Sequence, residues 1–147
     1  MAGKTALNAK NLEALGPARL AELLVEISAG NAAAKRRLRL ELAGAQSPGE
    51  VAKEVRKRLM AVARSRSFVD WQGIRSLADD LDTQRRAIVV RVATAEPREA
   101  LDLLWRFMAL ASSVFGRCDD SNGSVTGSFT KPAATSAVLP CRPRLTR

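Results

Sequence analysis

Apolar residues recur along most of this chain at the three- and four-residue intervals that are typical of an α-helix. A short opening helix is predicted in LNAKNLEALG, ending at Gly16. Pro17 suits the first turn of the next helix, and Gly30 suits a left-handed residue just past its end. One face of this second helix is expected to be buried, and it consists of Leu20, Leu23, Leu24 and Ile27.

The central part of the chain predicts two further helices. Asn31 is an N-cap candidate for the first, and Ser47, Pro48 and Glu50 form a capping-box pattern at the start of the second. The expected buried positions of the first are Ala34, Leu38 and Leu42. Those of the second are Val51, Val55, Leu59 and Val62.

The stretch SRSFVDW interrupts this spacing and predicts a turn, with Phe68 and Trp71 expected to be anchors in the core. From Trp71 to Val92 the apolar positions occupy one broad arc of a helix. The arc fits either one long helix or two helices that meet near Asp82 as an N-cap, and we favour two.

The last strong helix is predicted from Pro97 to Phe115, and it is apolar on nearly every side. One face comprises Leu101, Leu104, Trp105, Met108 and Phe115. The other comprises Leu103, Phe107, Leu110 and Val114. Earlier helices cover one face, and no helical pattern follows to cover the second. We therefore expect these last four residues to form a protein-interaction face that binds a protein partner or a second copy.

Composition limits the chemistry that this chain can perform. Histidine and tyrosine are absent and there are two cysteines, Cys118 and Cys141. Histidine-dependent nucleophile systems and histidine-bearing zinc sites are therefore excluded within the chain. The carboxylates of ADDLD, residues 78–82, are expected to be a solvated face or a helix cap rather than a Mg²⁺ site. We predict no catalytic residue, metal or cofactor.

The net charge of +9 is concentrated in residues 31–66 and in the C-terminal tail. If the two central helices pack antiparallel, their cations would form one face for a nucleic acid or an acidic partner. The candidates are Lys35, Arg36, Arg37, Arg39, Lys53, Arg56, Lys57 and Arg64. No aromatic residue lies between Asn31 and Ser67 to stack on bases, so a solvated helix face is the simpler interpretation.

Helical spacing stops near the end of the chain, and residues 121–147 contain no acidic side chain. The tail is rich in serine, threonine, proline, alanine and arginine, a composition typical of disorder. We therefore predict a helical domain over residues 1–123 and a disordered or out-of-frame tail over residues 124–147.

Several stretches, among them ARSRSFVDW, DLDTQRRAIV and ALDLLWRFMALASSVFGRC, resemble the N-terminal part of an uncharacterised family of bacterial helical proteins, a domain of unknown function. The resemblance runs from Lys4 to about Val125. It implies an all-helical fold and names no catalytic group. Members of the family continue with further helices, which implies that this chain is truncated or frameshifted after Val125. An active site in a missing C-terminal part is a third hypothesis.

These patterns predict an all-α fold, either an antiparallel bundle or the start of a helical-repeat array. No apolar run is long enough for a membrane span and the N-terminus has no secretory pattern, so a cytoplasmic location is expected. We expect a non-catalytic protein-interaction module. The alternative is a nucleic-acid-binding accessory protein that uses the basic face of residues 31–66.

Far-UV circular dichroism of the purified chain should show predominantly helical content with negligible sheet. The expectation follows from the capped, amphipathic segments, and a sheet-dominated spectrum would refute it.

Overall fold

The computed structural model describes residues 5–130, and this part of the chain is helical throughout apart from short connections. It contains seven α-helices, one π-helical segment and no β-strand. The helices are α1 (Ala9–Glu13), α2 (Pro17–Ser28), α3 (Ala32–Gln46), α4 (Pro48–Arg64), α5 (Ile74–Arg86), α6 (Pro97–Phe115) and α7 (Ser124–Thr130), and the π segment is Ala87–Val92. The predicted all-α fold is confirmed.

Local hydrogen bonds set the helix starts where the sequence places them. The Asn31 side chain caps α3, and the Ser47 hydroxyl accepts the Glu50 N–H at 3.2 Å at the start of α4. The Ser47 N–H donates to the Ala43 carbonyl of the preceding helix, so the Glu50 side chain is not needed to satisfy it. Three helices begin with a proline: Pro17, Pro48 and Pro97.

Helix α4 lies at the centre of the fold and packs against α3, α6 and the π segment. All four of its predicted core residues are buried, as Val51, Val55, Leu59 and Val62. Burial of each such side chain is worth about 1.5–3 kcal/mol relative to exposure. This helix therefore contributes a large share of the buried apolar surface of the fold.

The chain is helical without interruption from Ile74 to Val92, so the predicted division into two helices near Asp82 is wrong. Backbone angles at the junction of α5 and the π segment remain helical. The Ala93 N–H donates to the Ile88 carbonyl at 2.9 Å, five residues earlier. The wider turn keeps Ile88 and Val92 buried without a break in the chain. Asp82 accepts hydrogen bonds from arginines of its own helix instead of capping one.

The connection between α4 and α5 runs over the surface, contrary to the expectation that its aromatic residues are core anchors. Phe68 and Trp71 are each 69% exposed. The loop is held by polar contacts: the Val69 N–H donates to the Arg117 carbonyl at 2.9 Å. The Arg117 guanidinium also donates to the Val62 carbonyl at the end of α4. These bonds fix the backbone and leave the two rings outside.

The buried face of α3 differs from the predicted one. Leu40 and Ala43 are buried, whereas Leu42 is exposed. Arg36 lies one turn before Leu40 and forms an ion pair with a buried carboxylate of α5. Arg36 and Leu40 therefore lie on the same inward side of α3, while Ala34 and Leu38 are half-buried.

The two faces of α6 are reversed relative to the prediction. The four residues expected to be exposed, Leu103, Phe107, Leu110 and Val114, are buried and belong to the core. They therefore do not form the exposed protein-interaction face that the sequence predicts. The large apolar residues left exposed are on the opposite side, at Leu101, Trp105, Met108 and Phe115.

Helix α7, which the sequence did not predict, packs against α6 and covers part of it. Its Val125 is fully buried, and its Phe129 ring lies 5.0 Å from the Phe107 ring and 5.5 Å from the Phe115 ring. The turn before it contains Gly123 at a φ of 71°. The helical domain thus continues through Thr130, beyond the predicted boundary at residue 123.

The remainder of the predicted tail, residues 131–147 with Cys141, lies outside the described residues. Within residues 5–130, no helix combines the length and the apolar character that a membrane crossing requires.

Replacing Leu103 by alanine should lower the free energy of unfolding by about 2–5 kcal/mol, because the side chain is fully buried. Leu42→Ala is the matched control: the same change at a position of α3 that is 66% exposed should cost less than about 0.5 kcal/mol. Urea unfolding measures both, and equal losses would contradict the observed faces of α6.

Candidate interaction surface

The cations predicted to share one face are divided between the two flanks of α4. On one flank, Asp80 of α5 accepts from Arg58 of α4 at 2.6 Å and faces Arg36 of α3 at 3.6 Å. The Asp80 side chain is only 7% exposed. Arg36 is therefore part of an internal ion cluster that joins three helices rather than of an exposed basic face.

Arg37 is also engaged within the fold. It lies 3.2 Å from Glu41 on the next turn of α3, and Arg91 of the π segment reaches the same carboxylate. The hydrogen bond from Arg91 lowers the pKa of Glu41, and Arg37 adds to this effect. These contacts tie α3 to the π segment, and the Glu41 carboxylate offsets part of the positive charge of Arg37 and Arg91.

On the opposite flank, Arg56 of α4 pairs with Glu99 and with Asp102 of α6, the latter at 3.3 Å. Arg106 lies 2.8 Å from the same Asp102 carboxylate. Hydrogen bonds from Arg106 and Arg56 lower the pKa of Asp102, although burial opposes the shift. Arg56 and Arg36 therefore lie on different sides of α4, and the predicted single basic face is not formed.

The outward side of α4 retains part of the predicted cluster. We call Lys53, Lys57 and Arg64 the α4 ridge; all three are exposed. Lys53 pairs with Glu50, whereas Lys57 and Arg64 form no ion pair with any residue in the described range. Lys35 and Arg39 are exposed on α3.

An apolar surface lies beside this ridge. A groove of about 200 Å³ runs between α4 and α6, and we call it the α4–α6 groove. Its lining is Leu59, Met60, Ala63, Arg106, Ala109, Leu110 and Ser113. Met60 also lines the open depression along the α4 ridge, so the groove and the ridge are continuous.

The exposed side of α6 borders the groove. We call Leu101, Trp105 and Met108 the α6 stripe, and Trp105 is 78% exposed. Ala109, which lines the groove, lies one helical turn after Trp105 on the same side of α6, so the stripe adjoins the groove at Trp105. The stripe, the groove and the ridge together form the interaction surface.

The sequence shows that the residues of the α6 stripe share one side of the helix, but it does not show that this side is exposed. Leu101, Trp105 and Met108 recur at four- and three-residue spacing, which marks one side of a helix. The neighbouring face has the same periodicity, and periodicity alone does not show which one the fold covers. The Lys57 and Arg64 candidates were identified correctly as exposed cations.

The remaining groups with potential chemistry are engaged in structural contacts. Asp80 and Asp82 accept from arginines, and within residues 5–130 no group of three metal-ligating side chains comes together. Burial raises the pKa of the Cys118 thiol, which keeps it protonated at neutral pH. Asp120 binds the N–H groups of Val125 and Thr126 at the start of α7.

Comparison with known proteins gives a family but no activity. A family model described as a family of unknown function (DUF6880) matches residues 2–145. The match continues well beyond Val125, where the resemblance was predicted to end, so it gives no support for a break in the sequence there. No similar chain was found among curated proteins or among solved structures.

Asp80→Asn should destabilise the fold by about 1–3 kcal/mol, because Arg58 and Arg36 would lose their charged acceptor in a largely buried place. Asp79→Asn, at the neighbouring exposed position, should change the free energy of unfolding by less than about 0.5 kcal/mol. Denaturant titrations compare the two, and a neutral Asp80→Asn would show that the ion cluster does not hold α3, α4 and α5 together.

Proposed function

The chain belongs to a family of unknown function, and we propose that it acts as a non-catalytic protein-interaction module whose docking site is the interaction surface. The observation that carries the proposal is the α6 stripe. Its central residue, Trp105, is exposed beside two further large apolar side chains. Tryptophan and methionine are enriched in protein interfaces, and a grouped apolar surface of this kind marks sites of association.

The shape of the surface favours a helical partner. Apolar residues that alternate at four- and three-residue spacing present a narrow seam, which a second amphipathic helix can pack along. The adjacent α4–α6 groove lets the partner's apolar side chains sit between two helices. Burial of Trp105 alone would remove about 150–250 Å² from water.

The charges around the surface favour an acidic partner. The α4 ridge borders the groove, and Lys57 and Arg64 have no ion pair in the described part of the chain. A partner helix with carboxylates beside its apolar face would match both features, because rim charges steer association and fix register. We therefore assign the surface to an acidic amphipathic helix.

A nucleic acid is the second candidate for the same surface. The segment 31–66 lacks an aromatic residue, but Trp105 of α6 offers an exposed ring beside the α4–α6 groove, and Met60 of that groove also lines the depression along the α4 ridge. Cations beside an aromatic ring are the elements with which proteins hold single strands. The number of unpaired cations is small, which makes this the weaker of the two candidates.

A photo-crosslinking amino acid at position 105 tests the proposal. In cells that make the full chain, it should give discrete adducts with a protein, and Leu101→Asp in the same chain should remove them. Position 71 is the matched control, because Trp71 is a tryptophan of similar exposure away from the stripe.

Equal adducts from the two positions, or none from position 105, would contradict the assignment of the docking site. Adducts that disappear on nuclease treatment would transfer the assignment to the nucleic-acid candidate.

A further inference from the structure

A cleft of about 500 Å³ lies between α3 and α5, and we call it the α3–α5 cleft. Its volume is in the range of small-molecule sites in proteins. None of its lining residues also lines the α4–α6 groove or the depression along the α4 ridge, so it is separate from the interaction surface. Its lining includes Arg36 and Arg37 of α3 and Arg75, Asp79, Asp80 and Gln84 of α5.

Gln84 brings to this cleft a buried acceptor that has no partner. The residue is 5% exposed, and its amide nitrogen donates to an Asp80 carboxylate oxygen at 3.2 Å. Because a carboxylate only accepts, the amide nitrogen must face Asp80, and the Gln84 Oε1 atom is directed elsewhere. That oxygen accepts no hydrogen bond from any residue in the range 5–130. A buried acceptor without a donor destabilises a fold, so a donor from outside the chain is expected there.

The second unpartnered atom belongs to α3, on the other side of the cleft. Arg36 Nη2 lies 3.6 Å from Asp80 Oδ2, which is an ion-pair distance but is too long for a hydrogen bond. Arg36 Nε is buried and donates to no acceptor in the described part of the chain. The cleft therefore holds one donor and one acceptor without partners, on two helices that meet at the same carboxylate.

Charged side chains at the mouth of the cleft indicate the chemistry of a matching ligand. Arg75 and Asp79 are exposed one turn apart on α5, and neither forms an ion pair with a described residue. A carboxylate would offer acceptors to Arg36 and Arg75. An ammonium group beside it would offer donors to Gln84 Oε1 and to Asp79. A phosphate dianion has no donor for the Gln84 oxygen, and the carboxylates of Asp79 and Asp80 would repel it.

We propose that the α3–α5 cleft binds a free α-amino acid. The carboxylate of the amino acid accepts from Arg36 and Arg75, and its ammonium group donates to Gln84 Oε1 and to Asp79. Because the two unpartnered atoms are buried, binding requires the Arg36 and Gln84 side chains to turn towards the cleft. The bound molecule then bridges α3 and α5 beside the ion cluster. The proposal uses no residue of the interaction surface and does not depend on the proposed function.

Nuclear magnetic resonance of the isotope-labelled chain tests the proposal, with each of the common L-amino acids added separately to about 10 mM. At least one of them should shift the Gln84 side-chain amide signal and the Arg36 Nε–H signal together and to saturation. Analogues of that amino acid that lack the amino group or the carboxylate should bind about tenfold more weakly or worse. Each analogue leaves one set of charged contacts unmade.

Two exposed positions of the cleft separate its two ends. Arg75→Gln should raise the Kd of the amino acid about tenfold and reduce the discrimination against the analogue without a carboxylate. Asp79→Asn should reduce the discrimination against the analogue without an amino group. Arg98→Gln is the matched control, because Arg98 is an exposed arginine of α6 that does not line the cleft, and its Kd should equal that of the parent. Circular dichroism should show the same helical content for all three variants.

Three outcomes would overturn the assignment. In the first, no amino acid shifts the Gln84 and Arg36 signals, which would mean that the two atoms bind only water. In the second, inorganic phosphate shifts both signals and no amino acid does. In the third, Arg75→Gln and Asp79→Asn bind the amino acid and both analogues as the parent does, which would place the binding elsewhere on the chain.

Discussion

The Asp80 carboxylate is held by arginines from two other helices, and the arrangement of the surrounding elements depends on this contact. A nearly buried carboxylate is costly unless donors replace its hydration. Arg58 of α4 and the Gln84 amide of α5 donate hydrogen bonds to it, and Arg36 of α3 adds its positive charge at 3.6 Å. The contact therefore joins α3, α4 and α5 at one point of the fold. Leu40, one turn after Arg36, lies on the same side of α3 and is buried in the core.

This constraint determines how much positive charge the molecule presents. Residues 31–66 contain a marked excess of cations, but the structure pairs Arg36 and Arg58 on one flank of α4 and Arg56 on the other. The unpaired cations on the outward side of α4 are few, and they adjoin an apolar groove. A surface of this mixed character fits our proposal of an amphipathic partner better than it fits a polyanion, for which several phosphate contacts are needed.

Uncovered helix faces are the second feature that bears on function. Helix α6 is apolar on nearly every side, and α4, the π segment and α7 cover only part of it. Helix α2 has an uncovered face of its own, because its contacts are mainly with its neighbours in sequence. The expectation that its whole apolar face is buried is therefore wrong, since Leu24 and Ile27 are exposed.

The sequence by itself determined the helical class, most helix ends and the buried side of α4. The starts of helices α3, α4 and α6 are set by Asn31, Ser47 and Pro97, which act on residues only a few positions away. The starts of these helices can therefore be predicted from the local sequence. In α4 the apolar positions occupy one narrow side, which leaves a single way to bury them. The continuity of α5 with the π segment was missed because an aspartate can either cap a helix or bind arginines within it.

Only the tertiary structure decided which faces of α2, α3 and α6 are covered and where Phe68 and Trp71 lie. In α3 and α6, apolar residues fit more than one face, and the choice depends on partners far away in the sequence. Phe129 packs on Phe107, and Arg36 reaches Asp80 across the fold. The two aromatic residues stay outside because backbone hydrogen bonds, rather than apolar burial, hold their loop. Such contacts exist only after the chain has folded, because burial and ion pairing depend on three-dimensional proximity and not on local sequence.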